Sequence, residues 1–489
     1  MNAPTLFLDG KVSLYGGDCR DVLRSLADNS VDSVVTDPPY ALVSIVKRFG
    51  KTALGDATDT ADRSRKGADG YARLAKGFMG KAWDNGEAAF AVEFWADVLR
   101  VLKPGGHVAA FSGTRTYHRL ACAIEDAGFE IRDSLQWLYG SGFPKSHDVS
   151  KGIDKAMGVE RGKVLVPAGQ VRNPKATGGG KDGLDGATRP FIVKAAQAGF
   201  HEAVSDEAVS DEAVSYQGWG TALKPAVEPI CLARKPLSEK TVAANVLKWG
   251  VGALNINASR IPFVGMNDAA AAAAAAAAAV GFSASRARGT AVQSNSIGKE
   301  SRGGENTYDP FALAGRWPAN VLIDGSPEVL AGFPESAGAQ GVVSGNEPSG
   351  AGGGVSMGLM GRVASAPPRG DSGSAARFFY SAKADDDDRI GSKHPTVKPV
   401  NLMQWLVRLI TPKGGVTLDP FAGTGTTGEA AWREGFRAIL IERESEYQAD
   451  IARRMEYALA GPDARRQAII KATGKVDDAG PLFSEGIAK

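Results

Sequence analysis

A chain of 489 residues with 43% apolar composition can bury at least one large core, and length alone allows two or three domains. The net charge of +2 neither requires nor excludes a polyanionic partner, because nucleic-acid binding depends on a local basic face and not on the whole-chain sum. Cys19, Cys122 and Cys231 are isolated and form no Cys-x-x-Cys pair, which argues against a zinc site and points to a reducing cytoplasm.

At the start, residues 5–8 are the only apolar run before Asp9, Gly10 and Lys11, so no signal peptide is readable. Residues 11–15 alternate like a strand, residues 21–26 suit a short helix, and residues 31–36 read as a second strand that ends at Asp37-Pro38-Pro39-Tyr40. A helix is predicted over 88–102, closed by Lys103-Pro104-Gly105-Gly106, then a strand over 107–112 and a helix over 117–127 capped by Gly128. Strands alternating with helices imply an α/β fold with a parallel sheet covered on both faces.

Between about 152 and 218 the pattern fades. Gly178-Gly179-Gly180 and the five-residue repeat within 202–215 mark a loop or linker, since a period of five fits neither helix nor strand. The alanine tract 269–279 has high helix propensity but no amphipathic face, and the uncharged stretch around it is shorter than the ~20 residues of a membrane span. The Gly/Ser/Ala-rich run 336–374 reads as a mobile loop. Within this middle, residues 227–234 are strand-like, and Gly315-Arg316-Trp317-Pro318-Ala319-Asn320 leads into another apolar run. Order resumes at Arg377: an acidic run 385–388, then His394-Pro395-Thr396-Val397-Lys398-Pro399, a helix over 402–410, and a short strand over 415–418.

That strand enters Asp419-Pro420-Phe421-Ala422-Gly423-Thr424-Gly425. Gly423, Gly425 and Gly428 match the dinucleotide fingerprint, with a helix over 427–433, a strand over 437–441 and then Glu442, an acid about ~20 residues past the glycines. Such an acid would bond a ribose hydroxyl of either NAD or S-adenosylmethionine. Asp419 separates the two readings: before the turn, its carboxylate can meet the amino group of a methionine moiety but would repel a pyrophosphate.

The Asp-Pro-Pro-Tyr loop has its own chemical logic. The lone pair of adenine N6 or cytosine N4 is delocalised into the ring, so the amino group must be moved towards tetrahedral geometry before it can attack. Asp37 and the Pro38 carbonyl can accept its two hydrogens, with Pro39 stiffening the loop, and Tyr40 offers a flat face for the base. With a reference pKa near ~3.9, Asp37 is too weak a base to deprotonate a neutral aromatic amine first. It polarises, orients, and receives the proton after alkylation.

The two motifs in this order resemble the β group of DNA amino-methyltransferases, in which the active-site loop precedes the donor loop and a target-recognition region lies between them. The resemblance covers about 11–144, 228–236 and 377–454, and Gly315 to Asn320 is similar to a segment of phage and prophage site-specific DNA methyltransferases. It implies a Rossmann-like S-adenosylmethionine-dependent methyltransferase sheet with circularly permuted motif order. It further implies transfer of a methyl group to the exocyclic amino group of a flipped base, with adenine N6 favoured over cytosine N4 because members whose loop starts with Asp mostly act on adenine. Asp37, Pro38, Pro39 and Tyr40 would be catalytic. Asp18 and Cys19, after Gly16 and Gly17, would meet the donor adenine; Thr396, Lys398, Asp419, Phe421, Gly423, Gly425, Thr426 and Glu442 would complete the donor site. Double-stranded DNA would be the partner, with no membrane; the resemblance leaves room for a homodimer, and a cognate restriction endonuclease would be a separate chain. RNA or protein glutamine is the alternative substrate.

The implied organisation is a catalytic half over 1–150, a variable insertion or linker over 151–226, a returning core strand over 227–240, a recognition region over 241–376, a donor-binding half over 377–460 and a tail over 461–489. Methyl transfer from a sulfonium needs no metal, so the 385–388 carboxylates read as a solvated charge run. No Pro-Cys dipeptide is present to supply the nucleophile of carbon-5 cytosine methylation. Basic and aromatic residues over 145–194, with Arg260, Arg286, Arg288, Arg302, Arg316 and Trp317, are candidates to face phosphates or bases.

Overall fold

The inward-facing Val12 and Leu14, alternating with less buried Ser13 and Tyr15, make Val12–Gly16 a strand (β2), paired antiparallel with Thr5–Phe7 (β1). The computed structural model describes residues 3–40, 88–140, 142, 146–167, 200–263, 315–336, 373–382, 386–392, 394, 396–460, 465–467 and 470. The remaining strands are β3 (Val31–Thr36), β4 (Leu102–Phe111), β5 (Glu130–Leu138), β6 (Lys163–Pro167), β7 (Phe200–Val204), β8 (Val227–Arg234), β9 (Val321–Ile323), β10 (Glu335–Ser336), β11 (Gly373–Ser374), β12 (Tyr380–Ser381), β13 (Val416–Asp419) and β14 (Arg437–Glu442).

Ten of them form one sheet in the order β1-β2-β14-β13-β3-β4-β8-β5-β9-β12. The expected all-parallel sheet is corrected to a mixed one. Most neighbours are parallel, but β8 runs antiparallel to both β4 and β5, and β1 runs antiparallel at the edge. The chain crosses outward from β13 to β14 on one side and from β3 to β4 on the other. The carboxyl ends of β13 and β3 therefore flank a topological switch point, where open α/β sheets bind their ligands.

Helices Cys19–Ser25, Val92–Val101 and Tyr117–Asp126 cover one face around Trp95, Phe94 and Leu120. Helices Val400–Ile410, Thr426–Arg433 and Ser445–Leu459 cover the other around Trp405, Leu402 and Ile451. Burying side chains of this size stabilises by about 1.5–3 kcal/mol each, which fixes the central strands. Strand β3 is buried along its whole length although half of it is polar, and each polar side chain has a partner. Lys103 Nζ stands 2.6 Å from Asp32, Ser33 shares a 2.7 Å bond with Thr411, and Thr36 donates to Asp419 at 2.6 Å.

Two element boundaries differ from expectation for physical reasons. The helix predicted from residue 88 starts at Val92, and Lys103-Pro104-Gly105-Gly106 lies inside β4. Glycine is needed there, since a Cβ on Gly106 would come within 2.7 Å of Leu102 and 2.9 Å of the Asp32 carbonyl. The repeat over 202–215 is not a plain linker: it contributes to β7 and forms the helix Asp211–Ser215. Buried Asp154 orders it by accepting from the Val209 and Ser210 backbones at 3.1 and 3.0 Å, from the Ser210 hydroxyl at 2.6 Å and from Arg161 at 2.6 Å. The Ser210 hydroxyl bond is the main cause holding the Asp154 carboxyl below its ordinary pKa. The expectations for 178–180, 269–279, Arg286, Arg288 and Arg302, and most of those for 145–194 and 336–374, lie outside the described residues.

Candidate active site

Parallel pairing of β13 with β3 sets the two loops side by side, although Thr36 and Asp419 are 383 positions apart in sequence. Both loops wall a cavity of about 210 Å³ with Asp18, Cys19, Thr396, Lys398, Gly423, Thr426 and Glu442 among its lining. Every catalytic and donor-site candidate predicted from sequence borders this cavity except Gly425, which shapes the turn from behind.

On the glycine side, Gly425 has φ +79°, a left-handed conformation open to glycine, and an added Cβ would press on Ile451 at 3.0 Å. Gly428 lets its helix sit against β14, where a Cβ would meet Leu440 at 2.7 Å. Asp419 accepts from Thr36, from the Phe421 backbone at 3.1 Å and from Thr427 at 2.5 Å; burial dominates these bonds and lifts its pKa to about 6. Glu442 accepts from the Gly423 and Glu444 backbones, each at 2.8 Å, and burial lifts it to about 7. Asp18 caps the helix Cys19–Ser25 through the Arg20 backbone at 2.9 Å, and its carboxyl is held below its ordinary pKa chiefly by the Arg20 side chain at 2.8 Å. The Cys19 thiol is pushed by burial to about 12, which leaves its backbone as the useful polar group. His394 is tied to the Thr396 carbonyl at 2.7 Å and meets the Tyr447 ring edge-on at 4.6 Å, a structural setting. Phe421 leans on Phe94, with centroids 5.2 Å apart.

A buried Arg supports this loop from below. Arg454 donates to the Thr424 carbonyl at 2.7 Å, to Glu429 at 2.9 Å and to the Asp388 carbonyl at 2.5 Å. Burial alone would raise the Glu429 pKa, but Arg454, Arg465 and Arg433 outweigh it and hold the carboxyl below its ordinary value.

On the Asp-Pro-Pro-Tyr side, Lys398 lies 2.7 Å from Asp37 Oδ2 and 3.0 Å from Glu228 Oε2. The Tyr40 hydroxyl donates to Glu228 at 3.1 Å and accepts from Lys398 at 3.1 Å. The Tyr40 carbonyl accepts from Thr116 at 3.1 Å, fixing the loop end. Asp37 Oδ1 is buried and has no hydrogen-bond partner among the described residues. Glu228, at the head of antiparallel β8, was not singled out from sequence. Its strand enters the sheet at the carboxyl end of β4, where Ile230 faces Phe111, and only that reversed direction brings the side chain to Tyr40. No spacing signal announces this, because a single Glu ahead of an apolar run is commonplace.

Of the candidate nucleic-acid residues, Arg260 lies over the Trp317 ring at 5.4 Å, and Arg316 lies over Phe263 at 5.0 Å and Phe378 at 4.8 Å. Arg316 and Phe378 precede β9 and β12, whose carboxyl ends join the edge that carries the cavity. This cluster belongs to the opposite end of those strands. Among the described residues no group of three or more His, Cys, Asp or Glu side chains could hold a metal, and no helix is long and apolar enough to cross a membrane.

The family model described as DNA methylase, of the N6/N4 type, matches residues 31–161 and 355–453. The chain is 42% identical over 69 residues to the type II methyltransferase M2.DpnII of Streptococcus pneumoniae, covering 14% of this chain and 26% of the relative. It is 24% identical over 258 residues to the type II methyltransferase M.HindIII of Haemophilus influenzae, covering 50% of this chain and 65% of the relative. The chain thus spans less than two thirds of the length of these relatives. Among solved structures, the PvuII DNA methyltransferase (cytosine-N4-specific) is 13% identical, with a TM-score of 0.39 over 97% of this chain and 96% of that one. The two segments over which the chain is similar to the DNA methylase family carry both loops of the cavity.

Proposed function

We propose that this chain is an S-adenosylmethionine-dependent DNA methyltransferase that modifies the exocyclic amino group of a flipped base, adenine N6 in preference to cytosine N4. The observation that carries this reading is Asp37 Oδ1, a buried acceptor without a hydrogen-bond partner among the described residues, in a loop that shares one cavity with a glycine turn. An unpaired buried carboxylate oxygen is costly, and an amino N–H of the substrate would satisfy it.

The residues present fit the donor. Glu442 uses one bond on each oxygen and keeps acceptor capacity for ribose hydroxyls, and Asp419 keeps capacity on Oδ2 for an ammonium group. When bound, S-adenosylmethionine supplies an electrophilic methyl group on a sulfonium sulfur. The chain supplies placement. Asp37 Oδ1 and the Pro38 carbonyl accept the amino hydrogens and aim the nitrogen lone pair, Tyr40 presents its ring to the base while its hydroxyl is anchored on Glu228, and Asp37 takes the proton after alkylation. Double-stranded DNA is the substrate on this reading, and the order of the two loops is read as a circular permutation of the doubly wound sheet.

The test is transfer of labelled methyl from S-adenosylmethionine to DNA, RNA and protein in parallel, followed by nucleoside analysis of the DNA. N6-methyladenine is the expected product. N4-methylcytosine would replace the adenine assignment, and label on RNA or protein alone would overturn the DNA assignment.

A further inference from the structure

The Lys398 side chain is 6% exposed, so its contacts act where water screens little. Its ammonium touches Asp37, Glu228 and the Tyr40 hydroxyl, and lies 4.9 Å from the centroid of the Phe111 ring. Two carboxylates and one ammonium leave the cluster with one net negative charge. Asp37 Oδ2 is engaged by Lys398, whereas Oδ1 has no partner among the described residues.

We infer that Lys398 and Glu228 are positioning residues of the transfer site: Lys398 occupies one oxygen of Asp37 and leaves the other to the amino group, while Glu228 anchors Lys398 and Tyr40 and holds the cluster at one negative charge. This rests on the reading of the cavity as an amino-methyltransferase site. As the nitrogen–carbon bond forms and the carbon–sulfur bond breaks, the electron pair goes to sulfur and the nitrogen turns from neutral to cationic. A fixed net negative charge beside it favours that change without reorganisation. The proton then leaves the nitrogen for Asp37 Oδ1. Lys398 cannot take it, because it is already protonated: burial disfavours its charge, but Asp37 and Glu228 outweigh burial and hold its pKa above the ordinary lysine value. Among the described residues, the other titratable groups facing the cluster are Tyr139 just after β5, His394 ahead of the helix Val400–Ile410, and Asp419 from β13.

The charge count supplies the test, by single-turnover methylation of DNA against pH. Lys398→Met leaves two facing carboxylates, which share a proton, so the acid limb of the profile should move up by about one pH unit or more. Adding Glu228→Gln to Lys398→Met returns the net charge to one negative unit, and the limb should move back with a rate at pH 6 about tenfold above that of Lys398→Met. Glu228→Gln alone makes the cluster neutral and should slow turnover about tenfold, with the donor Kd within about twofold. An unchanged limb in Lys398→Met, or a double variant no faster than the single one, overturns the inference. If Lys398→Met does not fold by thermal unfolding, Glu228→Gln decides alone, and a wild-type rate in it overturns the inference. Wild-type protein inactive on DNA overturns both this inference and the reading beneath it, whereas an active wild type with either adverse result overturns the inference only.

Discussion

At the scale of single residues, the site is built from carboxyl groups in three electrostatic settings. Asp37 sits against an ammonium, Asp419 against hydroxyls, and Glu442 against backbone N–H groups. If Asp37 orients the amino group as proposed, replacing it by alanine should lower single-turnover methylation about a hundredfold or more while donor affinity, measured calorimetrically, stays within a few-fold. A near-normal single-turnover rate would remove Asp37 from the chemistry. Glu442 gives a pH prediction whose sign follows from its raised pKa. The folded protein holds this proton more tightly than the unfolded chain, so stability declines as pH rises from about 4.5 through 7, and at pH 8 the free protein bears a buried carboxylate. Gln cannot lose that proton. The melting temperature of Glu442→Gln relative to wild type should therefore climb between pH 5 and 8, by the equivalent of about 1–3 kcal/mol, whereas a pH-independent difference would contradict the assignment.

At the scale of elements, the glycine turn depends on the Arg454–Glu429 pair beneath it. Arg454→Ala would strand Glu429 in the core without its main partner, so urea unfolding at pH 7 should show a loss of about 3–5 kcal/mol. Donor affinity should fall with it, because the Thr424 carbonyl loses the bond that sets the turn. Unchanged stability would show that Arg465 and Arg433 suffice. Strands β3 and β8 were legible in the sequence at their observed limits, since β8 is mostly apolar, β3 is rich in β-branched residues, and each is bounded by turn formers. The start of β4 was not: Pro104-Gly105-Gly106 reads as a breaker, and only the neighbouring chain shows that glycine is required for packing. The two loops were readable because each concentrates its chemistry in consecutive residues. Glu228 was not, because its role depends on Tyr40 188 positions away, and a strand's direction in a sheet leaves no mark on its own residues. The repeat over 202–215 misled for a related reason. Its order comes from Asp154 and Arg161, outside the repeat, and not from any period within it.

At the scale of the whole molecule, the cavity lies at the carboxyl edge of the sheet, and the cluster of Arg260, Phe263, Arg316, Trp317 and Phe378 belongs to the other end of β9 and β12. Its guanidinium groups are stacked on this chain's own rings, so packing accounts for it without a nucleic acid. The double substitution Arg316→Ala, Trp317→Ala should lower stability by about 1–2 kcal/mol, summed over cation–π pairs, and leave methylation site preference unchanged. Altered site preference in a stable double variant would return the cluster to DNA recognition.

The sheet order also bears on how the chain reaches this state. Strands β13 and β14 sit between β2 and β3 in the sheet, although Asp419 of β13 follows Thr36 of β3 by 383 positions. During synthesis, β2 and β3 must each wait with an unpaired edge until those much later residues have emerged to fill the positions between them. Such long-range pairing folds slowly, and exposed strand edges invite pairing with other chains. The Thr36–Asp419 bond that brings the two loops together is thus one of the last contacts that can form. The cavity and the closed centre of the sheet are completed in the same late step, and a chain released before β13 and β14 have been made would have neither.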